Sequence, residues 1–424
     1  MLRVSDIRNN KATFLDGLVK RNFKQPELID EILLLDDQRK DNQTEHDECL
    51  ASINAQSKAI GALFQSGDHA AANEAKSAVT ELKEKAKILE DKKKEILTSL
   101  EEALLTVPNI PHPTVVQGNS DADNVVIQTW DKEFPKLSED ALPHWEIATK
   151  YGLMDFEAGV KIAGSGFVLY KGKGAKLERA LINFFLDEGA KAGYEEVLPP
   201  HLVNAASAKA TGQLPDKEGQ MYYCEKDDLY LIPTAEVPVT NIYRDTILKE
   251  DELPVKMTGY TPCFRREAGS YGSDVKGLNR VHQFNKVEIV QITHPNKSYE
   301  TLDSMVSHVE GLLVKLELPY RILRLCGGDL GFTSALTFDF EVYSAAQDKW
   351  LEVSSVSNFE TFQSNRLKVR YKDENGKNQL AHTLNGSALA LARIVACILE
   401  NHQGPNGVTI PTALRPYTGY DVIN

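Results

Sequence analysis

The sequence has few cysteines and no long apolar run, and each shortage excludes a class of protein. Its five cysteines are far apart and form no Cys-x-x-Cys pair: Cys49, Cys224, Cys263, Cys326 and Cys397. This scatter fits a reducing cytosol and argues against a disulfide framework and a cysteine zinc site, so we expect no zinc. No apolar stretch approaches the length of a membrane span, and residues 1–10 lack the apolar core of a secretory signal. We therefore expect a cytoplasmic protein with no membrane partner.

Charge and hydrophobicity are balanced as in a soluble globular protein. The 424 residues are 42% hydrophobic and 26% charged. A chain of this length can form two or three domains with a sizeable core. The formal net charge of −13 argues against a general nucleic-acid coat, but it leaves room for a local basic surface.

Proline is absent between residues 27 and 105, and apolar residues recur there at alternating steps of four and three. That spacing is the coiled-coil period. One series runs over residues 28–63 and the other over 75–103, with a turn-forming stretch at 65–69. In an antiparallel pairing, facing residues keep a constant sum of residue numbers, and both series then place the fold-back at Gly67. We predict an antiparallel two-helix coiled-coil arm over about 27–105.

The middle of the predicted arm is polar. The same pairing sets Asn42 against Lys93 and His46 against Leu89. Polar layers weaken packing but fix the register of a coiled coil. Alternatively, a locally loose arm could bend onto a large partner. Lysines are frequent in the second helix but alternate with acids, so charge alone does not indicate nucleic acid.

After the arm, three prolines and a run of small polar residues predict a linker at 106–124. It separates an N-terminal domain, 1–105, from a body, 125–424. In the body, strand-like runs alternate with a few helices, which indicates an α+β fold with a mainly antiparallel sheet flanked by helices. An apolar face predicts a helix over 176–191, and the two prolines that follow it suit a sheet edge.

Residues 264–288 contain many charges of both signs around a glycine-rich loop. Alternation along strands would place Arg265 and Glu267 on one face. It would place five residues on another face: Arg280, His282, Phe284, Lys286 and Glu288. A surface hairpin of ion pairs would show this pattern, and so would a site for a nucleotide beside an amino acid.

Two stretches near the C-terminus also contain candidate site residues. Residues 350–359 predict a strand with Glu352 and Ser354 on one face. Residues 383–403 predict a turn entering a strongly apolar helix, in which Arg393 is the only charge between 388 and 399. A guanidinium among aliphatic side chains needs an anion. A carboxylate or a bound phosphate would serve.

Taken in their order along the chain, the arm and the stretches described above resemble the seryl-tRNA synthetases, a family of class II aminoacyl-tRNA synthetases. The resemblance covers nearly the whole chain. Five stretches match family motifs: residues 176–203 the first class II motif, 264–288 the second, 385–393 the third, 234–236 (Thr-Ala-Glu) the TAE loop, and 352–355 (Glu-Val-Ser-Ser) the ATP-binding strand. The chain departs from the family at Ala388 and Ala392, where glycines are usual, and at Gly166, where arginine is frequent.

The resemblance implies a serine–tRNA ligase that forms seryl-adenylate from L-serine and ATP. Serine would pass to the 3′ end of tRNA(Ser), and of tRNA(Sec) where present. The implied catalytic residues are Arg265, Glu267, Glu352 and Arg393. Those implied to bind serine are Thr234, Ala235, Glu236, Arg280, Glu288, Asn385 and Ser387. Those implied to bind ATP are Arg265, Arg266, Glu267, Val281, Phe284, Glu352, Val353, Ser354, Ser355 and Arg393, with Glu352 and Ser355 also holding Mg²⁺ through ATP. The resemblance further implies a homodimer whose helical arms grip tRNA.

Three alternatives remain open from the sequence. One is a ligase of the same fold that charges a carrier protein or another amino acid. The second is a coiled-coil scaffold with an inactive synthetase body. The third is an unrelated ATP-dependent enzyme whose arm docks a protein. No general base is evident for the transfer of serine to tRNA.

Overall fold

The computed structural model describes residues 1–216, 219–267 and 276–424. Most of the glycine-rich loop predicted after Glu267 lies outside these residues. The chain divides into two compact units, one formed by Met1–Val19 and Phe23–Pro108, the other by Lys20–Asn22 and Asn109–Asn424. Among the described helices, none combines the length and the apolar character needed to cross a bilayer.

The first unit is built around a helical hairpin. Its helices are α1 (Val4–Asn9), α2 (Lys11–Lys20), α3 (Leu28–Gln65) and α4 (His69–Thr106). The two long helices have 38 residues each, about 57 Å at the usual rise of an α-helix. Gly67 lies in the turn with φ +81°, and the Asp68 side chain caps α4 by accepting from the Ala71 N–H at 3.1 Å. The predicted hairpin is confirmed.

The contacts between α3 and α4 follow the predicted pairing. Cys49 is buried with Ala86 and Leu89, and Ile53 and Leu82 pack against them. The Cys49 thiol also donates to the Leu82 carbonyl at 3.1 Å. A fold-back at Gly67 requires Cys49 to face Ala86 and Ile53 to face Leu82, and both contacts are present.

The second unit is α+β. Its helices are α5 (His144–Lys150), α6 (Phe156–Ala163), α7 (Gly172–Lys191), α8 (Ala205–Thr211), α9 (Glu236–Asn241), α10 (Ser298–Lys315), α11 (Thr361–Leu367), α12 (Leu391–Asn401) and α13 (Arg415–Thr418). Its strands are β1 (Val125–Thr129), β2 (Met154–Asp155), β3 (Leu169–Tyr170), β4 (Glu195–Glu196), β5 (Leu202–Asn204), β6 (Tyr223–Cys224), β7 (Leu229–Leu231), β8 (Ile247–Lys249), β9 (Val255–Phe264), β10 (Gln283–Thr293), β11 (Tyr320–Arg324), β12 (Leu336–Ser344), β13 (Lys349–Asn358), β14 (Arg370–Lys372), β15 (Asn378–Leu380), β16 (His382–Ala390), β17 (Gln403–Gly404), β18 (Gly407–Thr409) and β19 (Val422–Ile423).

Within the described residues, the main sheet has eight strands in the order β1-β11-β12-β13-β16-β10-β9-β4. Neighbouring strands are antiparallel, apart from the short edge strand β4, which runs parallel to β9. The prediction of a mainly antiparallel sheet is confirmed. The helix predicted over 176–191 is part of α7, and the chain continues from α7 into the edge strand β4.

The two faces of β10 lie in different environments. Val287 and Ile289 are fully buried in the main core, with side chains from α7, α10 and α12. Val290 belongs to a smaller cluster with α9. Lys286 and Glu288 alternate with Val287 and Ile289 and therefore lie on the face of Val290. The candidate site lies on this second face.

The prediction for residues 383–390 is wrong. They form strand β16 instead of a turn entering a helix, and α12 begins only at Leu391. Strand β16 is hydrogen-bonded to β10 on one side and to β13 on the other. The stretch Asn385-Gly386-Ser387 has the residue types of a turn, but here its backbone is paired with a strand on each side, and no local pattern signals that pairing.

The strand alternation predicted for residues 265–288 holds only in part. Strand β9 ends at Phe264 and β10 begins at Gln283, so Arg265, Glu267 and Arg280 lie beyond the strand ends. There the His282 N–H donates to the Gly166 carbonyl at 2.9 Å, outside the sheet. The alternation applies to Phe284, Lys286 and Glu288, which do lie within β10.

Candidate active site

A buried carboxylate lies at the centre of the candidate site. Glu288, on β10, is 2% exposed. Its Oε2 accepts from the Lys286 ammonium at 2.7 Å and from the Thr234 hydroxyl at 3.2 Å. Ser387 of β16 lies directly opposite Glu288 in the sheet. The predicted residues Thr234, Glu288 and Ser387 are therefore brought together.

A second carboxylate, Glu236, lies at the start of α9 in the same pocket. Gln363 of α11 donates to its Oε1 at 2.6 Å. Burial raises the pKa of Glu236 to about 7, and the nearby Glu288 carboxylate contributes, although amides of Gln363 and Asn385 act in the opposite direction. The Thr383 hydroxyl holds Gln363 by donating to its carbonyl oxygen at 2.8 Å.

Arg265 and Phe284 form an aromatic–cation pair beside this pocket. The guanidinium carbon of Arg265 lies 5.3 Å from the centroid of the Phe284 ring, and its Nε donates to the Pro233 carbonyl at 3.3 Å. Arg280 donates to the Glu267 carboxylate at 3.1 Å. The pairs supply both signs of charge and an aromatic surface, as a zwitterion beside a nucleotide would require.

Strand β13 carries several oxygen-bearing side chains, but they do not alternate between the two faces of the sheet as predicted. A register shift against β12 makes Glu341 pair with Glu352 and Phe340 with Ser354, so Val353 is an extra residue in β13. Ser354 therefore faces the core side with Phe340, and its hydroxyl donates to the Ser387 carbonyl at 2.6 Å. The prediction that Glu352 and Ser354 share a face is wrong because of this bulge.

The residue that shares the face of Glu352 is Ser355. It pairs with Asp339 across the strands, and its hydroxyl donates to the Asp339 carboxylate at 2.5 Å. Burial raises the pKa of Asp339, and the negative charge of Glu352 raises it further. Three oxygen-bearing side chains, Asp339, Glu352 and Ser355, thus lie together on one face of the sheet.

Arg393 of α12 reaches the same face and contacts two backbone carbonyls. Its Nη1 donates to the Glu352 carbonyl at 2.6 Å and its Nε to the Asn279 carbonyl at 3.1 Å. The Glu352 carboxylate lies 3.8 Å from Nη1. The carboxylate partner weighed from the sequence is therefore present. A quarter of the side chain (26%) remains exposed, so an anionic ligand could also reach it.

Three other predicted site residues have apolar side chains that pack against apolar neighbours. Val281 and Val353 lie in the main core, and Ala235 packs against Val290. Arg266 lies over the Tyr222 ring, 6.0 Å from its centroid.

Gly166, one of the departures from the family pattern, lies against His282. It has φ +82°, and an added Cβ would come within 2.0 Å of the His282 ring. An arginine at position 166 would displace this ring.

Two protein-family models match this chain. Residues 1–111 match the model of the seryl-tRNA synthetase N-terminal domain. Residues 222–402 match that of the class II tRNA synthetase core domain for G, H, P, S and T. The serine–tRNA ligase of Salinibacter ruber is 49% identical over 422 residues, which are 99% of this chain and 98% of that protein. The chain belongs to the seryl-tRNA synthetase family.

Solved seryl-tRNA synthetases have the same fold over the whole chain. The enzyme from Pyrococcus horikoshii, complexed with ATP, aligns with a TM-score of 0.93 at 34% identity, covering 100% of this chain and 99% of that one. The cytoplasmic serine–tRNA ligase from Naegleria fowleri, in complex with AMP, aligns with a TM-score of 0.88 at 28% identity and the same coverage. The resemblance inferred from the motifs is confirmed.

Some residues of the candidate site were not predicted from the sequence. Lys286 could have been found, because alternation already placed it on the face of Glu288. Gln363 and Asp339 come from α11 and from β12, far away in the sequence. No local motif marked either of them.

Proposed function

We propose that this seryl-tRNA synthetase activates serine on the sheet face around Glu288 and then transfers it to the 3′ end of tRNA(Ser). The observation that carries the proposal is the buried Glu288 carboxylate beside the Arg265–Phe284 pair. An ammonium group fits the carboxylate, and a nucleotide fits an aromatic ring with a guanidinium. Transfer to tRNA(Sec), where that tRNA is present, is part of the proposal.

Serine would bind through its three polar groups. Glu288 would accept from the ammonium, with Oε1 as the acceptor because Lys286 and Thr234 already donate to Oε2. Arg280 would exchange Glu267 for the serine carboxylate. Thr234, Glu236 and Ser387, with Asn385 and the Ala235 backbone beside them, would bond the hydroxyl. Such a pocket rejects alanine by roughly 10⁴-fold or more, because its polar groups would be left without partners.

ATP would lie across the ends of β9, β10 and β13. Phe284 would stack on adenine, Glu267 and the Val281 backbone would contact the adenine side, and Arg265 would hold the α-phosphate. Arg266 would complete the nucleotide site together with the backbone of Val353 and Ser354. Arg393 would hold the γ-phosphate by extending from its contacts with Glu352 and Asn279. The serine carboxylate would attack the α-phosphorus in line, and pyrophosphate would leave.

The oxygen ligands on β13 fit Mg²⁺, which prefers carboxylate, hydroxyl and phosphate oxygens. Glu352 and Ser355 would hold the ion with ATP, and Asp339 would orient the Ser355 hydroxyl. When bound, Mg²⁺ neutralises phosphate charge. Among the described residues, no three or more His, Cys, Asp or Glu side chains are grouped so as to hold a metal ion.

The proposed domain division gives tRNA binding to the N-terminal domain, 1–105, joined by the linker 106–124 to the catalytic domain, 125–424. The α3–α4 hairpin would grip tRNA. We also propose a cytoplasmic homodimer whose interface includes α7 and the strand after it. Transfer would occur by attack of the terminal ribose hydroxyl of the tRNA on the adenylate carbonyl, which breaks the bond to the phosphate, releases AMP and frees the hydroxyl proton.

The proposal is tested by serine-dependent exchange of pyrophosphate into ATP with the purified chain. The wild type should exchange with serine and not with alanine. Glu288→Gln keeps the shape of the side chain but removes its charge. We expect it to lower kcat/KM for serine by roughly 10²–10³-fold, as expected when one partner of a buried charge pair is lost.

The matched control is Asp36→Asn. Asp36 is also a buried carboxylate paired with basic side chains, Arg39 and Lys40, each at 2.8 Å, but it lies on α3 in the first unit. This variant should keep normal exchange. Near-normal serine exchange by Glu288→Gln would contradict the assignment of the pocket.

A further inference from the structure

A buried histidine–glutamate pair lies behind the site and has no part in the proposed chemistry. The side chains of His144, at the start of α5, and Glu400, near the end of α12, are both fully buried. His144 Nδ1 lies 2.6 Å from Glu400 Oε1, and the His144 backbone N–H donates to the same oxygen at 3.0 Å. Ser344 and Gln347 also donate to this carboxylate. The pair is therefore held from three sides.

The pair is connected to the chain segment that carries Arg280. The Leu278 N–H donates to His144 Nε2 at 2.8 Å. Because Nε2 accepts, the ring proton lies on Nδ1 and is donated to Glu400. The ring is thus hydrogen-bonded to Glu400 on one side and to Leu278 on the other, and so fixes the backbone two residues before Arg280.

A second connection leads to Arg393. The Asn279 side chain donates to the Gln347 carbonyl oxygen at 3.0 Å, and Gln347 in turn donates to Glu400 at 2.8 Å. The Asn279 backbone carbonyl accepts from Arg393 Nε at 3.1 Å. The segment 278–279 is therefore fixed from behind and contacts Arg393 in front.

Gly277 allows the close approach of this segment to the histidine. It has φ +65°, and an added Cβ would lie 2.2 Å from His144 Nε2. Any side chain at position 277 would push the segment away from the ring, and so would break the Leu278–His144 hydrogen bond without changing either partner.

We propose that His144 and Glu400 are positioning residues, which hold Arg280 for the serine carboxylate and Arg393 for the ATP phosphates through Leu278 and Asn279. The proposal rests on the proposed roles of these two arginines. It predicts that loss of the His144 contact weakens substrate binding in a folded enzyme, with little effect on the chemical step.

The test compares His144→Asn with His144→Gln in serine-dependent pyrophosphate exchange. Asparagine keeps a donor near the position of Nδ1 but cannot reach Leu278, whereas glutamine places its carbonyl oxygen near the position of Nε2. His144→Asn should raise KM for serine roughly tenfold, the usual value of one buried hydrogen bond, with kcat within about twofold. His144→Gln should restore most of the affinity. Unchanged KM in His144→Asn, or no rescue by glutamine, would overturn the proposal.

Gly277→Ala supplies an independent test of the same contact. It should raise KM for serine as much as His144→Asn does. The double variant should have the same KM as either single variant, because both changes remove the same hydrogen bond, between Leu278 and His144. Additive effects would overturn the proposal.

His402→Asn is the matched control. His402 is a partly buried histidine just after α12, and its ring bonds the Leu316 carbonyl at 3.1 Å, so this variant should lose stability and keep KM. If the wild type fails to exchange with serine, the proposed function fails and this assignment with it. Normal wild-type exchange with unchanged KM in His144→Asn overturns the assignment alone.

Discussion

Glu236 is a site residue whose acidity departs far from that of a solvated carboxyl. Burial raises its pKa from the usual 4.5 to about 7, and the neighbouring Glu288 carboxylate adds to the shift. An acid with a higher pKa in the folded state binds more protons when folded. Its contribution to stability is therefore complete below about pH 4.5 and is lost as the pH rises through about 7.

The variant Glu236→Gln tests this linkage. Because glutamine does not titrate, the wild type should lose about 2–3 kcal/mol of unfolding free energy relative to the variant between pH 5 and pH 8. Urea unfolding of both chains at the two pH values measures the difference. Glu139→Gln, at an exposed glutamate, should follow the wild type. Parallel pH profiles for wild type and Glu236→Gln would rule out the raised pKa.

Whether a site residue could be predicted from the sequence depends on how far along the chain its partner lies. Glu288 and Phe284 lie on one strand, so the alternation of a single strand could place them on one face. Asp339 and Gln363 reach the site from other elements, and their partners, Ser355 and Glu236, are 16 and 127 residues away in the sequence. A pattern within one segment carries no information about such pairs.

At the scale of elements, the errors occur where turn-like residues lie in a central strand or where a bulge shifts the alternation. Strand β16 lies between β13 and β10, although its Asn385-Gly386-Ser387 stretch has the residue types of a turn. Strand β13 keeps its alternation only up to Glu352, because the extra residue Val353 moves Ser355 to the face predicted for Ser354. Both features depend on neighbouring strands and could not be predicted from the segment alone.

The α3–α4 hairpin was predictable because its pairing follows a simple numerical rule, but its polar middle has a cost. Asn42 is 3% exposed, and neither of its side-chain polar atoms has a hydrogen-bond partner in the part of the chain that the structure describes. An unsatisfied buried amide costs about 1–3 kcal/mol. The variant Asn42→Leu should therefore stabilise the hairpin by about 1–2 kcal/mol.

Hydrogen exchange of the amides in residues 28–106 of the full chain measures this change. Asn54→Leu makes the same substitution at an exposed position of α3 and should leave exchange unaffected. Faster amide exchange in Asn42→Leu would contradict the expected gain. Slower charging of tRNA with unchanged pyrophosphate exchange would favour the hypothesis that the polar layers let the arm bend.

At the scale of the whole molecule, local patterns could predict the class of the fold but not the order of the strands. The order β13-β16-β10 places Glu352, Ser387 and Glu288 on neighbouring strands, although they are far apart in the sequence. Long-range pairing of this kind has no local signal. The residues of the candidate site could be predicted together only because the order of the motifs resembles that of a family whose arrangement is known.

The division into two compact units allows the arm to be shortened without touching the site. Residues 54–60 and 75–81 form one heptad in each long helix, at positions that face each other in the hairpin. Removing both would shorten the arm by about 10 Å and preserve every other layer of the pairing. Serine-dependent pyrophosphate exchange should stay normal, because Glu288, Arg265 and Arg393 belong to the second unit.

Charging of tRNA by the shortened chain should require at least tenfold more tRNA, since contacts made by the outer part of the arm are lost or displaced. Aminoacylation at increasing tRNA concentration measures this, with pyrophosphate exchange as the internal control. Removing only residues 54–60 should disturb the helical hairpin as well, because the remaining layers no longer face their partners. If the symmetric deletion charges tRNA as well as the full chain does, the outer part of the arm does not bind tRNA, and the proposed binding surface must lie nearer the base of the hairpin.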